Sequence, residues 1–367
     1  MNFKQSLSNS FANRLTNIEL LRIVAMLLIL CHHGVVHGNL NFTGSLDINK
    51  IFLSLFIFGG KFGVNIFVLI SGYFLCTASF SINKISKILG EILFYILFIL
   101  IAVFIFYPEC FAYKTIIKCI YPFQGFAVNY VYLYILFPYI NISLMHLTKG
   151  ELKKLLIFLI FIMSFLPTFL PKFDGFWLLS WLVLLYMLGS YIRNYVEYQD
   201  ILKYHKQFIL ISICSIMVTN AITGAVHFLR GSNFGNYIFW IDERTFFADN
   251  SFTLLVASIC FFMYFLGLNI ESSSIDKISS KMFGVLLLHD HPFRFIIFEN
   301  ILKLKIYQLS LWFPAYFILA MLLVFVTGIM ISAIRSCFFE KTFSEISEKI
   351  ILKMGRFLNE KIIALLH

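Results

Sequence analysis

The chain has 367 residues, 60% of them hydrophobic and only 13% charged, with a mean hydropathy of +0.87. That leaves too little charge to cover a soluble domain of this length, and the long continuous apolar runs exclude an outer-membrane barrel, whose segments are short and alternating. The net charge of +10 lies in short stretches between apolar runs, a pattern of topology signals rather than of a nucleic-acid surface. The fold class is therefore all-α, a polytopic integral membrane protein embedded in a lipid bilayer.

Ten runs read as spans, roughly 18–38, 51–80, 88–107, 128–146, 152–170, 174–192, 207–226, 251–269, 282–301 and 309–334. No cleavable signal peptide is expected ahead of the first, which continues as a spanning helix. An even count places both termini on one side. The segments sharing that side hold 19 of the Lys and Arg residues and the opposite segments 8, so both termini are expected in the cytoplasm. The resulting organisation is a cytoplasmic N-terminal segment (1–16), a transmembrane domain (17–335) and a cytoplasmic amphipathic helix lying on the membrane surface (336–367).

The first span, NIELLRIVAMLLILCHHGVVHG, carries Glu19 and Arg22 near one end and His32, His33 and His37 near the other. Ionisable groups inside a span are functional candidates. Eleven residues separate Arg22 from His33, about three turns plus 20°, so the two share a face about 16 Å apart along the axis. His32 falls about 80° off that face by the same arithmetic. Glu19, three residues before Arg22, is placed to pair with it. One face thus offers a cation for an anionic ligand and, further out, a neutral base; Arg22 snorkelling to headgroups and His33 bonding a neighbouring helix is the alternative. His33 and His37 have the i, i+4 spacing of metal ligands, but no HExxH or carboxylate-rich context accompanies them, and no metal is expected.

The second span, GGKFGVNIFVLISGYFL, aligns Lys61, Asn65 and Gly72 along one stripe, with Ser71 beside it. Asn65 and Ser71 are candidate hydrogen-bond donors to a substrate, or interhelical contacts in a glycine-rich seam. SINKISKIL follows, with Lys84 and Lys87 one turn apart as a phosphate clamp or as topology signals. Cys110 and Cys119 share one loop and are placed to pair if it faces an oxidising space. The largest external loop, 227–250, combines Asp242, Glu243 and Arg244 with Phe234, Tyr237 and Trp240, which suits a carbohydrate surface or an interfacial aromatic belt. In ISSKMFGVLLLHDHPFR, His289, Asp290 and His291 fall inside a predicted span, with Arg294 one turn on. A His–Asp pair there orients a base, or forms a buried network around Arg294.

Arg22-x10-His33, followed by FGVNIFVLISGYFL, resembles the start of the acyltransferase family 3 membrane proteins, bacterial O-acyltransferases of surface polysaccharides and related glycans. NYVYLYILFPYINISLMHLTKGE is similar to that family's middle helix and ISSKMFGVLLLHDHPFR to its closing signature. The resemblance covers about 17–334. It implies a multi-pass protein of the bacterial cytoplasmic membrane that moves an acyl group, acetyl being the expected one, from cytoplasmic acetyl-CoA to a hydroxyl of a surface polysaccharide or lipid-linked sugar. The family's arginine–histidine pair falls on Arg22 and His33, the histidine as catalytic residue, and its basic pair, usually arginines, on Lys84 and Lys87. A glutamate that many members carry in the middle helix has no counterpart in VNYVYLYIL. On these expectations Arg22, Glu19, Lys84 and Lys87 hold the cofactor; His33 is the base, Asn65 or Ser71 donates to the oxyanion, and His289 and Asp290 complete the catalytic set. The alternative is an exporter or flippase of lipid-linked saccharides, in which broken helices and charges spread over several spans are expected.

Overall fold

A computed structural model of the protein describes residues 15–42, 47–120, 125–170, 178–230 and 248–366, without the side chains of 120, 223–230, 354 and 357–366. It is 83% helical, with no strand among the described residues. In chain order the helices are α1 (Thr16–His37), α2 (Ile48–Ser54), α3 (Gly59–Leu75), α4 (Ile82–Phe106), α5 (Tyr113–Ile120) and α6 (Phe126–Met145). Next come α7 (Lys149–Phe169, with a π turn at Phe161–Phe165), α8 (Leu178–Tyr195), α9 (Tyr198–Lys203), α10 (His205–Arg230) and α11 (Phe252–Leu266). The chain closes with α12 (Ser273–Ser279), α13 (Met282–His289), α14 (Leu304–Tyr307), α15 (Phe313–Phe338) and α16 (Glu340–Leu366).

Long apolar runs become helices because lipid offers no partner to the backbone, so each peptide group must bond within its own segment. The helix starts are polar where the chain leaves the apolar region. Asp47 caps α2 by accepting from the Lys50 amide at 2.9 Å, and Thr148 and Glu151 form a reciprocal capping box on α7.

Seven described helices are long and apolar enough to cross a membrane, α2 and α3 counting as one crossing. Three predicted spans differ. The run at 174–192 corresponds to α8, more polar at its Arg193–Tyr195 end; 251–269 is the 15-residue α11. The run at 282–301 is discontinuous. α13 stops at His289, and helical backbone resumes at Arg294 and Phe295, leading into the π turn at Ile296–Ile301. Pro292 has no amide to donate and disfavours helical backbone at the residue before it, which breaks the run there.

Polar contacts join residues that the chain count assigns to the same face. On one face Glu19 accepts from Ser279, Lys87 meets Glu340 at 2.9 Å, and Lys281 donates to Ser336 at 2.7 Å. On the other, Asn39 meets Glu299 at 3.1 Å, Asn49 donates to the Gln308 carbonyl at 2.7 Å, and Lys61 pairs with Asp249 at 2.8 Å.

At the centre, α1 packs against α3, α11, α12, α13 and α15, and α3 against α8 and α11. Gly72 of α3 and Gly189 of α8 make one of these crossings possible. A Cβ on Gly72 would run into the Tyr186 carbonyl, and one on Gly189 into the Leu69 carbonyl, so the two backbones touch directly. The C-terminal helix α16 packs against the rest of the chain at its first turns. It lies along the start of α4, with the Phe343 backbone against Gly90 and the Phe94 ring 5.5 and 5.4 Å from those of Phe339 and Phe343.

Candidate active site

Three contacts hold the Arg22 end of α1 in place. Asn17 donates to the carbonyls of Phe265 and Leu268 at 2.8 and 3.0 Å, at the C-terminal end of α11. Glu19, buried, accepts from Arg22 Nη1 at 3.1 Å and from the Ser279 hydroxyl. The Arg22 guanidinium lies 5.9 Å from the centre of the Phe74 ring, and its side chain keeps 30% of its surface exposed. Glu19 therefore positions Arg22, and Arg22 is the group left to meet a ligand.

At the other end of α1, four imidazoles gather. The half-buried His33 ring has its centre 5.1 Å from His289, 5.4 Å from His37 and 5.6 Å from His32. His32 is engaged elsewhere: its Nδ1 donates to the Ile57 carbonyl at 2.6 Å, and the ring fills the space where a Cβ on Gly60 would stand. His289 is fully buried and donates from Nδ1 to the Val285 carbonyl at 2.6 Å. That bond fixes the tautomer and leaves Nε2 as an acceptor. His289 Nε2 and His33 Nδ1 are both buried without a hydrogen-bond partner among the described residues. Two facing rings thus keep a nitrogen each for chemistry. His32, which helical arithmetic sets about 80° off the Arg22–His33 face, is thus held by the start of α3.

His289 reaches this position because α13 ends there. The break that follows carries Asp290, whose carboxylate accepts from Arg294 at 2.7 Å, and His291, whose Nδ1 accepts from the Phe293 amide at 3.1 Å. Irregular backbone at membrane depth is tolerated where protein buries it or where it lines a cavity, and His291 lines two cavities beside α4.

Asn65 and Ser71 are not brought to His33. Gly60 stands beside His32 and Gly63 beside Ala25 and Ile29, so α3 runs antiparallel to α1. Five residues beyond Gly60, Asn65 lies about 7.5 Å inward of the histidines, and Ser71 about 16 Å inward, level with Arg22. Asn65 accepts from Trp181 Nε1 at 2.9 Å, leaving its own Nδ2 buried without a partner among the described residues. Ser71 donates to the Phe67 carbonyl at 2.9 Å and pairs with the Tyr130 hydroxyl at 3.1 Å. Neither stands where an oxyanion at His33 would form. Of the two lysines, Lys87 is paired with Glu340, while Lys84 is exposed and without a partner among the described residues.

Cys110 and Cys119 are both free thiols. The carbohydrate surface expected in the loop at 227–250 falls almost wholly outside the described residues.

A polar group around Gly284 has no counterpart in the sequence reading. Arg335 Nη2 meets Glu91 Oε1 at 3.2 Å, and a Cβ on Gly284 would stand 2.6 Å from both the Tyr95 and the Ser332 hydroxyls. The available signal was Glu91 itself, a carboxylate inside an apolar run.

Residues 15–330 match the family model described as Acyltransferase domain. No curated protein and no solved structure gives a significant match. With the match spanning most of an all-helical, multi-pass membrane chain, the protein belongs to acyltransferase family 3 and is a membrane acyltransferase.

Proposed function

We propose that the protein carries an acyl group from acyl-CoA, entering at the face that holds Arg22, to a hydroxyl of a glycan at the opposite face, with His33 as general base. The observation that carries this reading is the ring pair: His33 beside a fully buried His289, each with an unpartnered nitrogen. Arg22, braced by Glu19 on the same helix, is the cation for the donor's phosphates. Lys84 is exposed and available to them, whereas Lys87 is already engaged by Glu340.

In the transfer, the acceptor oxygen bonds to the thioester carbonyl carbon and the carbon–sulfur bond breaks. The hydroxyl proton passes to His33 and on to the departing thiolate, giving an ester and free CoA. His289, locked by Val285, orients His33 and shares its charge as the proton moves. Asp290 acts through Arg294, holding the helix break that presents His289, and is a positioning residue. The donor is an acyl-CoA, with acetyl-CoA the expected one. The acceptor is a surface polysaccharide or a lipid-linked sugar, and the site of action is the bacterial cytoplasmic membrane.

The test compares ester-linked acyl groups on the surface glycan of cells expressing wild type or His33→Ala. Loss of a general base costs about 10²–10⁴-fold, so the variant is expected to leave the glycan unmodified. Wild-type ester content in the variant would refute the role of His33, and no dependence on the protein at all would refute the glycan acceptor.

A further inference from the structure

One turn beyond His33, at the end of α1 away from Arg22, stands His37. Its half-buried ring has its centre 5.4 Å from that of His33, and no hydrogen bond holds it among the described residues. A histidine that only ties helices together is bonded across them, as His32 is to the Ile57 carbonyl and His205 to the Tyr264 carbonyl. The broken segment after α13 crosses this end of α1: the π turn at Ile296–Ile301 packs on the helix, and Asn39 meets Glu299 at 3.1 Å. That crossing brings Arg294 close enough for its charge to act on both His33 and His37. Arg294 donates from Nη1 to Asp290 at 2.7 Å, its other N–H groups are unpaired among the described residues, and 37% of its side chain is exposed. The side-chain charges acting most on His32, His33 and His37, apart from other imidazoles, are those of Arg294, Asp290, Lys61 and Asp249. They pair off as Arg294–Asp290 at 2.7 Å and Lys61–Asp249 at 2.8 Å. The surroundings of His33 are therefore polar, yet these four groups leave no charge uncompensated.

We propose that His37 and Arg294 form the acceptor subsite, and that it takes an uncharged sugar ring by hydroxyls neighbouring the one that His33 deprotonates. The proposal rests on the role given to His33 above and names the class of sugar for the same site. His37 is about 6 Å along the helix from His33, close to the width of a sugar ring. A ring whose reacting hydroxyl reaches His33 thus has other hydroxyls at the level of His37. The free N–H groups of Arg294 donate to hydroxyl oxygens, and a neutral imidazole both donates and accepts. An acidic sugar fares worse. Its carboxylate finds Arg294 already neutralised by Asp290 and Lys61 by Asp249, and an anion brought in without a cation keeps its desolvation penalty.

The test supplies the full chain in nanodiscs with labelled acetyl-CoA and a panel of nitrophenyl glycosides, and measures label on the sugar. The panel holds a glucoside, a galactoside and an N-acetylglucosaminide, with a glucuronide that differs from the glucoside by its carboxylate. Wild type is expected to prefer the best neutral glycoside over the glucuronide by at least about tenfold in kcat/KM. Asp290→Asn releases Arg294 from its partner and is expected to narrow that preference about tenfold, a change that a purely structural role does not produce. His37→Phe is expected to raise KM for the glycoside about tenfold with kcat changed far less, and His37→Gln, which keeps hydrogen-bonding atoms in a smaller side chain, to recover part of the loss. A wild type that prefers the glucuronide, a preference unmoved by Asp290→Asn, or a His37→Phe variant that loses kcat at unchanged glycoside KM would overturn the proposal. Failure of wild type to label any glycoside while it still binds acetyl-CoA would overturn the glycan acceptor itself, and the subsite with it.

Discussion

Replacing Arg335 by methionine removes the cation from a buried ion pair and strands a carboxylate inside the helix bundle. The Arg335 and Glu91 side chains are 7% and 14% exposed, and their charged atoms are 3.2 Å apart. Arg335 also lies 3.9 Å from Glu340, at the start of α16. Removing one member of such a pair costs about 3–5 kcal/mol, because the survivor keeps its desolvation penalty without its partner. At about 2.1 cal/mol/K of unfolding entropy per residue, 367 residues give roughly 0.8 kcal/mol per degree, and the melting temperature is expected to fall by about 4–6 °C. The assay is heating of detergent-solubilised protein followed by size-exclusion of what remains folded. The double variant Glu91→Gln/Arg335→Met removes both charges and is expected to recover most of the loss, a coupling that independent sites do not show. A single variant melting within about 1 °C of wild type, or a double variant whose losses simply add, would refute the buried pair.

Three further outcomes follow from the contacts. Gly72→Leu drives a side chain into the Tyr186 backbone and is expected to cost about 3 kcal/mol or more, read as loss of monodisperse protein in detergent; normal yield and melting would contradict the direct backbone crossing. Arg22→Lys keeps the charge but loses the planar fork, so KM for acyl-CoA is expected to rise about tenfold with kcat changed far less; an unchanged KM would reassign Arg22 to topology. Ser71→Ala is expected to leave turnover within about twofold of wild type, since the hydroxyl stands level with Arg22 and is already bonded; a loss of about a hundredfold would restore it as an oxyanion donor.

Much of the fold was legible because a spanning helix announces itself by length and apolarity alone. The run at 282–301 misled for the same reason: an averaging window absorbs His289, Asp290, His291 and Pro292, although the proline and the polar triplet were the signal of a break. At the site, helical periodicity separated His33 from His32, since both lie on one helix and the arithmetic is local. Periodicity reports which face a residue occupies but not its level on a neighbouring helix. The register of α3 on α1 is set by Gly60 against His32 and Gly63 against Ala25 and Ile29, and those contacts place Asn65 and Ser71 away from the level of His33. The approach of His289 to His33 and of Arg335 to Glu91 depends on helices far apart in the chain packing together. Loop charges had assigned Arg335 to topology, and its burial gives it a second role.

The central claim is a reaction divided across the membrane, with the donor at the Arg22 end and acyl transfer at His33. Vesicles of defined orientation, loaded with glycan acceptor on one side and supplied with labelled acyl-CoA on the other, test it most directly. Label is expected to reach the glycan only when acyl-CoA is on the face bearing Arg22, and not at all with His33→Ala. Transfer from acyl-CoA supplied to the opposite face, or undiminished transfer by the variant, would contradict the account.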